Sequence, residues 1–98
     1  MYGTIARLQV RPGAEKDLQE VLATIGARRV PGFIASYLYQ MDENPRVLML
    51  AVLFADRETY KRNADDPAQD REYQLMRGFL ESDPEWHDGE IVLSSPAS

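Results

Sequence analysis

The stretch RVLMLAVLF, residues 46–54, decides the fold. It holds no proline or glycine, and its branched and large apolar side chains read as a β-strand. Successive side chains of an extended chain point to opposite faces. Val47, Met49, Ala51 and Leu53 therefore line one face, and Leu48, Leu50, Val52 and Phe54 the other. Both faces are apolar, which is the pattern of a strand covered from both sides.

Upstream, Asp42-Glu43-Asn44-Pro45 is a turn, and FIASYLYQM (residues 33–41) is a second strand that forms a hairpin with the first. Alternation places Phe33, Ala35, Tyr37, Tyr39 and Met41 together as an aromatic stripe, opposite Ile34, Ser36, Leu38 and Gln40. Before the Val30-Pro31-Gly32 break, Leu18, Val21, Leu22 and Ile25 recur at helical spacing. Glu15 and Asp17 open that helix, and Arg28 and Arg29 stand at its end, each charge complementing the helix dipole. Tyr2 to Val10 is another strand, ended by Arg11-Pro12-Gly13.

Downstream, Asp56 caps a short helix carrying Tyr60, and Asp66-Pro67 opens a further helical segment, because proline at the first helical position loses no needed hydrogen bond. Tyr73, Met76, Phe79 and Leu80 fall on one face until Ser82-Asp83-Pro84 stops the helix. Glu85 to Ser94 reads as the last strand. The order predicts an α+β, ferredoxin-like βαββαβ domain: a four-stranded antiparallel sheet with helices on one face. It spans residues 1–94, and residues 95–98 form a flexible tail.

Helices on one side leave the second apolar face of this sheet bare. Burying four such side chains is worth about 6 to 12 kcal/mol, at about 1.5 to 3 each, comparable with the whole stability of a domain. An identical sheet packed face to face about a two-fold axis is the simplest cover. The expected assembly is a homodimer through the sheet face.

Composition removes several function classes. Sixteen acidic residues against eleven basic ones give a net charge of -5, with the arginines scattered among carboxylates, so nucleic acid is not an expected partner. The longest apolar run is nine residues, far short of the roughly 20 that span a bilayer. The first residues lack a signal-peptide profile. With no cysteine there is no disulfide, thiolate metal site or thiol nucleophile. A cytoplasmic protein with no membrane partner is expected.

TIARLQVRPG (4–13), VPGF (30–33), LAVLFADRETYKRNADDP (50–67) and EWHDGEIV (85–92) together resemble the antibiotic biosynthesis monooxygenase family of the dimeric α/β-barrel superfamily. The resemblance covers nearly the whole chain. Its haem-degrading branch uses an asparagine on the first strand, with a tryptophan and a ligand histidine from the helical region. Here Ala6 stands at the first place, and no histidine or tryptophan lies between Phe54 and Leu80. The resemblance therefore implies no haem, metal or flavin cofactor. The other branch oxidises polycyclic phenols or quinols with dioxygen alone. Matched to that branch, its strand asparagine falls on Leu50, its tryptophan on Phe54, its tyrosine on Tyr60, and its arginine near Tyr73, with Arg71 and Arg77 close by.

The implied activity is that of a cofactor-independent monooxygenase, an oxidoreductase acting on a small aromatic metabolite in a cleft between sheet and helices. The alternative is a non-catalytic dimeric binding or accessory domain on the same scaffold. Tyr60 and Asn63, one helical turn apart, are the candidate catalytic residues; Leu50, Phe54, Tyr73 and Arg77 are candidates for substrate binding. Each has a structural counterpart reading. Tyr60 can be a core ring, Asn63 a helix-end cap, and Arg77 the partner of Glu72 or Glu81 in a surface ion pair. Trp86 and His87 are each unique in the chain. Beside the Asp88-Gly89 turn they read as a structural latch at the dimer seam, with Trp86 as its anchor.

Overall fold

A computed structural model describes residues 1–26 and 30–96. Its elements run β1 (Tyr2–Gln9), α1 (Glu15–Gly26), β2 (Phe33–Gln40), β3 (Val47–Phe54), α2 (Arg57–Ala64), α3 (Pro67–Arg77) and β4 (Glu85–Glu90). The strands form one antiparallel sheet in the order β2-β3-β1-β4, the arrangement expected of a split βαβ fold. The expected dipole partners Arg28 and Arg29 lie outside the described residues.

β1 and β3 sit in the middle because they carry the strongest inward apolar sets. Leu8 is paired with Leu48 and Ala6 with Leu50, and these four join Val10, Leu18, Met76 and Leu80 in one buried cluster. β1 hands over to α3's end through a single bridge, Val10 to Leu80. Polar staples hold this end: Arg11 Nε and Arg77 Nη1 both donate to the Leu80 carbonyl at 3.1 and 3.0 Å. Arg46 Nε donates to the Val10 carbonyl at 3.0 Å and the same side chain pairs with Glu81.

β4 is shorter than the sequence suggested. Its ladder with β1 ends at the pair Tyr2–Glu90, and only one further bond follows, from the Ile91 N–H to the Met1 carbonyl. The aromatic stripe of β2 is also altered. Phe33 pairs with Phe54, yet Ala35 pairs with Leu53, so Ile34 is an extra residue in a β-bulge. The bulge turns Phe33 to the helix-covered face, where its ring meets Phe54 edge-on at 5.7 Å. Tyr37 and Tyr39 stay on the opposite face.

Two of the rows that cross that opposite face carry large side chains. Tyr37, Ala51, Ile5 and His87 form one, and Tyr39, Met49, Arg7 and Glu85 the other. Ile5, Tyr37 and Tyr39 remain more than half exposed, at 54, 55 and 57%. No helix among the described residues is long and apolar enough to cross a membrane.

Candidate functional site

At the end of the sheet away from the Arg11 and Arg46 staples, the space between the inner face and the helices is hollow. A cavity of about 450 Å³ opens there, within the range typical of small-molecule sites. Leu50, Val52 and Phe54 of β3 form its floor, and α2 and α3 supply the walls through Tyr60, Asn63 and Tyr73. A second hollow of about 360 Å³ adjoins it, bordered by the same Leu22, Ser36 and Leu50.

Two helix caps fix those walls. The Asp56 carboxylate accepts the Thr59 N–H at 2.8 Å and its hydroxyl at 3.0 Å. These bonds favour the ionised form and hold the Asp56 carboxyl below its ordinary value. Asp66 accepts the Ala68 N–H at 2.8 Å, with Pro67 in the first turn of α3. Gly32 adds a third constraint. Its φ of +81° is left-handed, and a Cβ there would lie 2.3 Å from Thr59 Oγ1, so the turn before β2 packs directly on α2's first turn. The Gly32 carbonyl accepts the Ala55 N–H at 2.7 Å.

One wall is a chain of rings in edge contact. Tyr2 meets Tyr60 at 5.2 Å, Tyr60 meets Phe54 at 5.6 Å, and Phe54 continues to Phe33. The Arg57 guanidinium lies 5.9 Å from the Tyr2 ring centre. Tyr73 and Trp86, also in the lining, are tilted against each other at 6.5 Å.

Tyr60, Asp88 and Thr4 form one polar cluster of the lining. The Tyr60 hydroxyl donates to Asp88 Oδ1 at 2.8 Å. Burial, then the hydrogen bond and negative charge of Asp88, push the phenol up to about 12, so it stays protonated at neutral pH. Thr4 pairs with Asp88 across the β1–β4 ladder and is 5% exposed. Its hydroxyl lies beside the Tyr60 oxygen and opposes that upward shift, but among the described residues it makes no hydrogen bond of good geometry.

Of the six residues singled out from the sequence, Tyr60, Asn63, Leu50, Phe54 and Tyr73 line the cavity. Asn63 Nδ2 donates to Gln69 Oε1 at 3.3 Å, which ties α2 to α3. Arg77 is not brought to them. One turn beyond Tyr73 it reaches the end of α3, where Nε donates to Asp83 Oδ1 at 2.8 Å and Nη1 to the Leu80 carbonyl. The expected ion pair thus exists, with Asp83 in place of Glu72 or Glu81.

Thr4, Trp86 and Asp88 are among the lining residues that sequence reasoning missed. Adjacent residues of a strand face opposite ways. Trp86, opposite Ala6, enters the cavity, while His87, opposite Ile5, lies on the outer sheet face, so they form no joint latch. The period-two pattern Trp86, Asp88 was the available signal. Among the described residues no three His, Asp or Glu side chains converge as a metal site.

A ferredoxin-like α+β fold with a cavity between sheet and helices is the class these features define. The sequence profile of the antibiotic biosynthesis monooxygenase family matches residues 1–70, and the chain belongs to that family. Among solved structures, the chain is similar to a mutant of SnoaB, a cofactor-independent oxygenase from Streptomyces nogalater. Identity is 18%, the match covers 98% of this chain and 97% of that one, and the TM-score is 0.85. A candidate antibiotic biosynthesis monooxygenase from Caulobacter crescentus matches at 18% identity over 94% of this chain and 90% of that one, with a TM-score of 0.83. One from Chloroflexus aurantiacus matches at 22% over 97% and 96%, with a TM-score of 0.79. Comparison with curated proteins gives no significant match. At these identities the structural likeness speaks for the fold.

Proposed function

We propose that this protein is a cofactor-independent monooxygenase that oxidises a small phenol- or quinol-type aromatic with O2 in the cavity between sheet and helices. The observation that carries the reading is the cavity itself, walled by aromatic rings and lined also by hydrogen-bonding groups, Thr4, Tyr60, Asn63 and Asp88 among them. An ionised phenol supplies the electrons itself. One oxygen atom enters the ring, and the other leaves as water. The protein then has to exclude water, accept a proton and stabilise an anion. In this reading Tyr60 and Asn63 are the polar groups at the reacting ring, and Leu50, Phe54 and Tyr73 grip its faces. Arg77, bound to Asp83, takes a structural part. The apolar floor at Leu50 and Phe54 favours a second reading, a non-catalytic binding or accessory domain.

We infer further that the working form is a homodimer through the outer sheet face, supported by the exposed rows around Ile5, Tyr37 and Tyr39. The cysteine-free chain fits the cytoplasm. Oxygen uptake with a panel of anthrones and quinols tests the activity. Turnover that falls at least tenfold in Tyr60→Phe or Asn63→Ala upholds the enzyme, and saturable binding without oxygen uptake upholds the binding domain. Sedimentation at micromolar concentration tests the dimer, which fails if the particle has the 11.2 kDa mass of one chain.

A further inference from the structure

The Tyr60 proton is committed. Its hydroxyl donates to Asp88 at 2.8 Å, so only the lone pairs of that oxygen remain for other partners. Thr4, buried at 5% exposure, lies beside that oxygen and can use one. With its own hydrogen turned to Tyr60, the Thr4 oxygen keeps lone pairs free, and it borders the cavity. Asp88, at the far end of this series, is exposed. A buried hydroxyl that borders a cavity without a well-formed bond of its own is an uncommon arrangement, because a buried polar group left unsatisfied costs about 1 to 3 kcal/mol. A ligand hydroxyl donating to Thr4 would satisfy it.

We propose that Thr4, Tyr60 and Asp88 form a proton exit path that takes the proton of a ligand hydroxyl from the buried inner end of the cavity to the exposed carboxylate at its rim. This rests on the reading of the cavity as a site for an aromatic hydroxyl compound. The ligand O–H bond breaks and its electron pair stays on the ligand oxygen. Thr4 Oγ1 gains that proton and passes its own to Tyr60 Oη. Tyr60 in turn passes its own to the Asp88 carboxylate, which releases it to water. Charge and atoms balance: one ligand anion and one solvated proton result, and each hydroxyl is restored. No oxidant takes part in this step. All three members are hydroxyl or carboxylate oxygens, so none needs to ionise for longer than the transfer. The path also sets specificity. Its inner end presents an acceptor, so a neutral ring carrying a free hydroxyl binds more tightly there than its ether or its unsubstituted ring. Asp88 lies beyond residues 1–70, outside the part of the chain that matches the family profile.

The probe is 2-naphthol, a two-ring phenol that becomes a strong acid when excited by light and emits at a different wavelength once its proton has left. Trp86, the single tryptophan, lines the same cavity and reports binding by quenching. The expected result is saturable quenching of Trp86 and naphtholate emission from the bound probe in the unaltered protein. Neutral naphthol emission should dominate in each of Thr4→Val, Tyr60→Phe and Asp88→Asn, three changes that preserve shape at one buried, one half-buried and one exposed position. Thr4→Val should also weaken 2-naphthol binding about tenfold, the worth of one hydrogen bond, and leave naphthalene binding unchanged. Binding with only neutral emission in the unaltered protein, or naphtholate emission that persists in all three variants, overturns the path while the aromatic cavity stands. Absence of quenching at millimolar 2-naphthol overturns both.

Discussion

The two ends of the same strand pair meet opposite fates. At one end Leu8 and Val10 of β1 and Leu48 of β3 are covered by Leu18 and Leu80 and reach zero exposure. At the other, Thr4 of β1 with Val52 and Phe54 of β3 line the cavity. The strands themselves do not differ in regularity, since their ladder is unbroken from Tyr2–Phe54 to Gln9–Val47. What differs is the cover. Leucines and arginine staples close the first end, whereas rings standing on two capped helices stand back from the second. Stability is concentrated where packing is complete, and room for a ligand is left where it is not.

The comparison can be broken most sharply by truncating one leucine at each end. Leu8→Ala should cost about 2 to 5 kcal/mol, because its hole cannot collapse among fully buried neighbours. Leu50→Ala borders existing space and should cost no more than about 2 kcal/mol, the bottom of the same range. Urea denaturation of both variants measures the difference, and equal losses would show that the two ends are packed alike.

A middling effect is expected at the turn that pins α2. Gly32→Ala places a side chain in the left-handed region at roughly 1 to 2 kcal/mol and drives it into Thr59. Because Thr59 begins the turn that carries Tyr60, the substitution should also reduce Trp86 quenching by 2-naphthol. Loss of stability with binding intact would uncouple the pin from the hollow end.

The smallest effect concerns alkaline pH. Tyr60 holds its proton more tightly folded than unfolded, so its contribution is complete below about pH 10 and is lost as pH climbs toward 12. Urea midpoints followed across that interval should fall less steeply in Tyr60→Phe than in the unaltered protein. Parallel curves would place the cause of any alkaline loss elsewhere.

Much of the architecture was legible because local chemistry and global fold agree. Asp56 and Asp66-Pro67 announced their helices, and the two-sided greasiness of residues 47–54 fixed the centre of the sheet. The site was legible only in part. Tyr60, Asn63, Leu50, Phe54 and Tyr73 were found through helical spacing and resemblance, and all five meet in the cavity. Arg77 was drawn away by a carboxylate six residues on, a contact that depends on how the chain turns after α3. Thr4 and Asp88 escaped notice because each looks like an ordinary strand residue, and only the β1–β4 register brings them together beneath Tyr60. Phe33 was assigned to the wrong face because a bulge leaves no mark in residue alternation.

That bulge at Ile34 makes one strand the property of two surfaces. The segment before it furnishes a ring to the chamber, and the segment after it furnishes Tyr37 and Tyr39 to the outside. Were the strand regular with Ile34 kept, Ile34 would stand opposite Phe54 and Phe33 would turn outward, exchanging a ring of the chamber for an aliphatic side chain and adding an aromatic to the exterior. The irregularity of one residue thus sets the lining of the chamber and the texture of the exterior together.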